Sequence, residues 1–540
     1  MTTAVQFTNK EKQVLLWASF FSLLAAGVGF VFRAMVPALW AKEFGVDDSQ
    51  VGVLFGAGLW PIAICMIAFS FIVDKIGYKA SMFFAFFFQA LSIVLTFTAG
   101  SFNAMWWACI CAGVGHGVVE AVINPLCCSI FRDEKTKAMN ILHAAWPAGL
   151  MLGGAVFLSL YTEADTWKGA KSAWIIMALP VLAYGVMFFL CKKFPVDERV
   201  EVGVPMSEML KEFGGLGAFL AATFIFYEVF SQFGWFGGGQ YTRLGVSFGV
   251  GALIGAAFGL AVKSKGHWMF FFLCVLMVPL ATAEIATDGW IQNLMKPTMG
   301  KYAGWALVFS ATIMMILRFA SGIPLKLTGS PLGLLLLSSV FSIIGLFWLS
   351  VASGFLVMFA FVFYAVGQTY YWPSILGFTS ERYPKGGALT LNTVSAMGLL
   401  TVGIFGFPFL GAVQDHYNFK AAAEAEPALV AKIKTENRTT PGADGTAKPI
   451  HENRNLFGVP YETLVISAVL AQPELTKEGK DALDANFAQT GRKTLRVASV
   501  LPISMAIGYL LMLLWLKAHG GYKKIVLSEA AAPQGAAAGH

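Results

Sequence analysis

The chain has 540 residues, 57% of them hydrophobic and 13% charged, with a mean hydropathy of +0.67 and a net charge of +7. Soluble domains carry about 25% charged residues, so a soluble fold of this length is excluded; lipid, unlike water, accepts so much apolar surface. The basic excess is spread over short loops without a basic–aromatic cluster, which argues against nucleic acid as a partner, and the seven cysteines sit in or beside apolar runs with no metal spacing.

Residues 1–12 are polar and include Lys10 and Lys12. The apolar run behind them is longer than a signal core, so it reads as a retained first span. Backbone amides cannot stay unpaired in hydrocarbon, and about 20 residues cross it as a helix. The apolar runs predict six spans over 14–40, 51–73, 80–99, 104–131, 138–161 and 172–191. A polar linker at 192–213 leads to an inserted pair within 214–263, at 214–235 and 244–263. Gly245, Gly249, Gly251, Gly255 and Gly259 in the second of these permit close helix approach. Six more spans follow at 267–290, 302–323, 330–351, 353–377, 388–413 and 495–517.

The expected architecture is all-α integral membrane, with about fourteen spans. Residues 1–191 form an N-terminal six-helix bundle. Residues 264–413 supply five helices of a C-terminal bundle that 495–517 completes. Residues 518–540 are a disordered tail. Lys75, Lys79, Arg132, Lys135, Lys137, Lys192, Lys193, Arg382 and Lys385 fall in one set of short loops, which exceeds the other set and places both termini in the cytoplasm. Residues 414–494 then lie outside as a polar insertion, either short helices over the outer mouth or disorder. The membrane is expected to be a bacterial-type inner membrane or a plasma membrane, and the protein a monomer in contact with lipid.

The loop after the second span reads Ser70-Phe71-Ile72-Val73-Asp74-Lys75-Ile76-Gly77-Tyr78-Lys79. It resembles the major facilitator superfamily signature G-x-x-x-D-R/K-x-G-R-R/K, with Ser70 for the first glycine and Tyr78 for one base. The resemblance implies two pseudo-symmetric bundles that expose a site alternately to each side. It also implies a cytoplasmic latch in which Asp74, with Lys75 and Gly77, bonds a helix N-terminus or an arginine. Arg318 followed by Ser321-Gly322 resembles a degraded second copy and is assigned to gating. Spans four and five carry Gly113-x-Gly115-x-Gly117-x-x-Glu120-x-x-x-Asn124-Pro125, then Asn140-x-x-His143 and Gly149. This is similar to the fucose–galactose–glucose:proton symporter branch, with His143 where that branch has Gln. Two features depart from the branch: the first span has Arg33 and no acid, and the span count is fourteen, not twelve.

An ionisable side chain at the bilayer centre costs about 2.5–3.5 kcal/mol on the insertion scale, so it needs a partner or a wet cavity. The intramembrane candidates are Arg33, His116, Glu120, His143, Glu228, Glu284 and Arg318, with Asp288 near an outer end. Glu120 and His143 are assigned to proton coupling. Arg33 either pairs with Glu120 or binds solute through its planar fork. Asn124 shares a face with Glu120, and Pro125 frees a carbonyl beside them. Asn140 and Trp146 join His143 as solute contacts. Glu284, Gln368 and Trp372 are assigned to the C-terminal side of the same site, where Trp290 and Asn293 mark a loosened outer helix end. Glu228 is read as structural or at the lipid edge.

No G-x-x-x-x-G-K-[ST] loop, G-x-S-x-G elbow or H-E-x-x-H motif is present, so neither ATP-driven transport nor an enzyme is expected, and no cofactor or metal. The reading is secondary transport of a small polar solute, a sugar first, coupled to H⁺. An organic anion held by Arg33 and a transporter-like receptor without flux are the alternatives.

Overall fold

The computed structural model describes residues 7–46, 48–161, 166–237, 239–441 and 447–527; the side chain of Asn293 and residues 528–540 lie outside the described residues. Among the described residues, twelve helices are long and apolar enough to cross a membrane. One of them covers 49 residues, Gln50–Thr98. At 1.5 Å per residue that is about 74 Å, more than twice a ~30 Å hydrocarbon core. It is two spans folded at Gly77, whose φ of 81° only glycine adopts cheaply. A further apolar segment is broken into Leu356–Gln368 and Tyr371–Arg382 and falls short of span length for that reason. Counting the folded helix as two and adding the broken one gives fourteen spans.

In chain order, span one is Asn9–Met35, opened by a capping box in which Thr8 and Glu11 bond each other's backbone. Spans two and three follow on either side of Gly77. Span four is Phe102–Ile130. Span five is Lys135–His143 continued by Ala145–Leu160, and span six is Trp174–Leu190. The inserted pair is Met206–Gln232 and Gln240–Val262, spans seven and eight. The Met206–Gln232 helix folds at Gly214, with φ 61°: a short polar helix after Pro205 lies before the fold and span seven lies after it. Span nine runs Trp268–Ala281, through a π-helical turn at Thr282–Ala286, to Thr287–Met299. Span ten is Ala303–Phe319 and span eleven is Pro331–Leu349. Span twelve is the broken segment. Span thirteen is Gly387–Thr401, a second π-helical turn at Val402–Gly406, and Phe407–Ala425; span fourteen is Val500–Ala518.

The described residues of the polar insertion, 414–441 and 447–494, form helices and strands. Span thirteen extends through Ala425, Pro427–Thr435 forms a short helix, and two antiparallel hairpins follow. Lys477–Ala498 leads directly into span fourteen. Leu429, Val430, Ile433, Ile450, Leu464, Val469 and Leu483 give this segment its own apolar core. Burial of these side chains supplies what the polar composition concealed.

Linker and tail pack together at the face that holds both termini. Asp74 is ion-paired with Arg199 of the linker, so of its two expected partners it takes an arginine. Lys75 is exposed and Gly77 makes the fold between spans two and three. Lys135 pairs with Glu198 at 2.5 Å. Glu381 of span twelve accepts from the Thr136 hydroxyl at 2.7 Å, from Tyr522 Oη and from Lys524 at 3.3 Å. The backbone N–H of Ile525 donates to its carbonyl at 3.0 Å. Residues 519–527, expected to be disordered, are thus held against span twelve by polar contacts around Glu381.

Span eight has only 17% of its apolar window buried and is held by glycines. A Cβ on Gly255 would lie 2.7 Å from Phe219 Cβ and 2.8 Å from the Gly215 carbonyl oxygen, whereas one on Gly249 would meet nothing within 4 Å. Gly255→Val is expected to lower stability by about 1–3 kcal/mol and Gly249→Val to leave it unchanged, read from thermal unfolding of the purified protein. Asp197 in the linker is buried, and burial, aided by Asp74, pushes its carboxyl from 3.8 up to about 6. A folded pKa above the unfolded one gives stability that is full below the unfolded value and is lost as pH rises through the folded value. Wild type is therefore expected to lose stability between about pH 4 and pH 6 relative to Asp197→Asn; parallel unfolding curves for the two proteins would contradict this.

Candidate functional site

Proline lacks an N–H, so a proline inside a helix leaves the carbonyl four residues earlier without its helical donor. Three such carbonyls lie in the bundle interior, and each is met by a side chain. Pro125 frees the Ala121 carbonyl, which accepts from Asn392 Nδ2 of span thirteen at 3.1 Å. Pro147 frees the His143 carbonyl, which accepts from Arg318 Nη1 at 2.7 Å. Pro373 frees the Thr369 carbonyl, which accepts from Arg318 Nε at 2.6 Å. Arg318 makes a third bond, Nη2 to Glu284 Oε1 at 2.7 Å. It is 1% exposed and sits deep among spans five, nine and twelve, so it is a central hub and not the second latch expected from its Ser321-Gly322 neighbours.

Glu120 and its neighbours complete the cluster. Asn124, one turn on, donates to Glu120 Oε2 at 2.8 Å, and its own carbonyl oxygen faces His143 Nε2 at 3.0 Å. Since that amide oxygen can only accept, His143 Nε2 carries the proton in this contact. His116 Nε2 lies 3.8 Å from Glu120 Oε1, and its ring stacks on Trp146 at 5.5 Å. Glu284 sits in the π-helical turn after Pro279, a distortion frequent at functional sites. His116, Glu120, His143, Trp146, Glu284, Arg318 and Trp372 line one central cavity of about 30 Å³, room for about one water. The centre is therefore collapsed in this conformation.

Three residues assigned to the site lie elsewhere. Arg33 is buried in span one against Gly58 and Gly29, beside Cys109. Among the described residues no carboxylate is within ion-pair distance of it, so the expected pair with Glu120 does not form. Asn140 turns back onto the Thr136 carbonyl at 2.9 Å. Gln368 donates to Asp288 Oδ1 at 3.0 Å, beside Tyr364, which does the same. Asn392 carries an amide like Asn124, but its apolar run, 388–413, holds no ionisable residue to draw attention to it.

On the face opposite the termini a second cavity of about 860 Å³ opens between both halves and span seven. Phe457, at the tip of the second hairpin, places its ring 6.5 Å from Tyr227 and 6.3 Å from Phe405 at the edge of this vestibule. A run of aromatic rings separates it from the central cluster: Trp290 to Phe407 at 6.2 Å, Phe407 to Phe55 at 5.6 Å, Phe55 to Phe30 at 5.7 Å and Phe30 to Trp146 at 5.1 Å. Glu228 lines this cavity, so the lipid-edge alternative expected for it does not hold.

No curated protein matches the chain in sequence at a significant level. Solved structures with a similar fold include the E. coli fucose:proton symporter, at 15% identity and a TM-score of 0.51 over 75% of this chain and 92% of that one. The proton:xylose symporter XylE from E. coli aligns at 14% identity with a TM-score of 0.53 over 75% and 90%. The human organic anion transporter MFSD10 aligns at 10% identity with a TM-score of 0.54 over 92% and 99%. At such identities the likeness is one of fold. The sequence profile described as Major Facilitator Superfamily matches residues 16–412, well over half of the chain. Profile, fold and membrane-spanning helices agree, and the chain belongs to the major facilitator superfamily of transporters.

Proposed function

We propose that this transporter moves a sugar or related polyol by alternating access and couples the movement to protons. The observation that carries the reading is the polar path across the bundle core: Glu120 to Asn124 to His143 in the N-terminal half, and from the His143 backbone to Arg318 and Glu284 in the C-terminal half. A proton gained or lost at Glu120 or His143 changes the charge beside the Arg318–His143 carbonyl contact that joins the halves. Hydroxyl groups of a solute entering between them would compete for Glu120, Asn124 and Glu284, while Trp146 and Trp372 offer flat faces to its CH groups. The collapsed cavity would widen only as the halves part. In this reading both termini are cytoplasmic, the gate at their face is the inner one, and the vestibule faces outward in a cell membrane. Similarity in fold to two sugar:proton symporters supports the solute class.

Glu120→Gln keeps the shape but cannot ionise. It is expected to reduce uptake driven by a pH gradient into proteoliposomes at least about tenfold, the range of a positioned proton-transfer group, while solute counterflow persists. Full gradient-driven uptake in Glu120→Gln would refute the coupling role.

A second reading, transport of an organic anion, rests on Arg33, a buried guanidinium with no carboxylate beside it among the described residues. If it holds, Arg33→Gln abolishes anion flux and leaves any neutral sugar flux intact. Because Arg33 lies off both cavities, the expected outcome is unchanged solute selectivity and reduced stability.

A further inference from the structure

We propose that the inserted pair gives the vestibule a solute-binding site of its own, in which Glu228 and Gln232 of span seven accept hydroxyl groups of the solute before it passes the aromatic barrier. The inference rests on the polyol reading above and adds a second station to it.

Glu228 is 7% exposed, yet it lines the 860 Å³ vestibule, a volume within the roughly 300–1,000 Å³ of small-molecule sites. Among the described residues no Lys, Arg or His lies within 4 Å of its carboxylate. The hydrogen bond it receives comes from Gln232 Nε2, one turn on, at 2.8 Å. The other end of that amide, Gln232 Oε1, is buried with no donor facing it. Both side chains line one cavity, and the Gln232 carbonyl oxygen, which has no donor, is covered in this conformation. Buried acceptors left so are costly unless something donates to them.

Two glycines make the space. Both Glu228 oxygens lie 3.8 Å from where a Cβ on Gly403 of span thirteen would stand, and Gln232 Nε2 lies 2.9 Å from one on Gly56 of span two. Span seven therefore aims one polar group at each half, across positions that carry no side chain. Trp290 forms part of the lining; its Nε1 donates to Gln414 Oε1 at 2.7 Å, which fixes the indole and leaves its face for CH groups. Two acceptors beside a fixed aromatic face suit a solute with adjacent hydroxyls. They offer nothing to an anion, which Glu228 would repel.

The test compares entry kinetics from the two faces, using right-side-out and inverted membrane vesicles and a panel of neutral monosaccharides and polyols. Glu228→Gln is expected to raise KM for entry from the vestibule face about tenfold, the order of a lost charge-assisted hydrogen bond, and to leave KM from the termini face within about twofold. Gly403→Val, which fills the space beside the carboxylate, should reproduce the asymmetry from the opposite element. An equal KM change on both faces, or none, overturns the site while the polyol reading stands. If no panel member is transported by wild type, both readings fall. Glu228-dependent KM for an ammonium-bearing solute but for no sugar overturns the assignment to hydroxyls.

Discussion

Hydrocarbon offers no hydrogen bonds, so every backbone carbonyl that a proline strips of its donor must be met by another group. In this chain that rule connects the halves. The carbonyls freed by Pro125 and Pro147 belong to spans four and five, and the groups that meet them, Asn392 and Arg318, belong to spans thirteen and ten. The helix breaks that weaken spans locally are thus the points at which distant parts of the sequence are held. Because such contacts are few and directional, they can be exchanged for others as the halves move.

Arg318 shows why one side chain can dominate such a centre. Its planar fork holds two freed carbonyls and the Glu284 carboxylate in one geometry, which a lysine's point charge could not reproduce. Held by three bonds deep in the bundle, this guanidinium is not part of the Asp74 cluster at the termini face. The polar contacts at the termini face come instead from the linker and the tail, with Arg199 on Asp74 and Tyr522 and Lys524 on Glu381. Arg199 and Glu381 are buried in these contacts, while Lys524 stays exposed.

The two barriers differ in kind. The gate at the termini face is a set of ion pairs and hydrogen bonds between polar segments. The barrier below the vestibule is a run of aromatic rings from both halves, Phe30 and Phe55 on one side and Phe407 and Trp290 on the other. Rings separate and repack without leaving a hydrogen bond unmet, so such a barrier yields to a small displacement. Span seven reaches the same place and makes the inserted pair part of the vestibule wall, while span eight faces lipid.

The sequence by itself determined the membrane class, the fourteen apolar segments and the family. Hydropathy and the Asp74–Gly77 loop are local properties, and an apolar run in lipid has no choice but to be a helix. It also brought Glu120, Asn124, His143 and Trp146 together, since residues three and four apart on a helix, on neighbouring helices joined by a short turn, meet whatever surrounds them. What only the tertiary structure decided is which way the isolated side chains point. Arg33 and Gln368 have the same polarity as their neighbours in the site yet face elsewhere, and Glu228 faces a cavity and not lipid. Residues 414–494 look like a solvated loop until their scattered apolar side chains are collected into a core. Direction and long-range partnership depend on helix rotation and packing, and neither is written in the spacing of one segment.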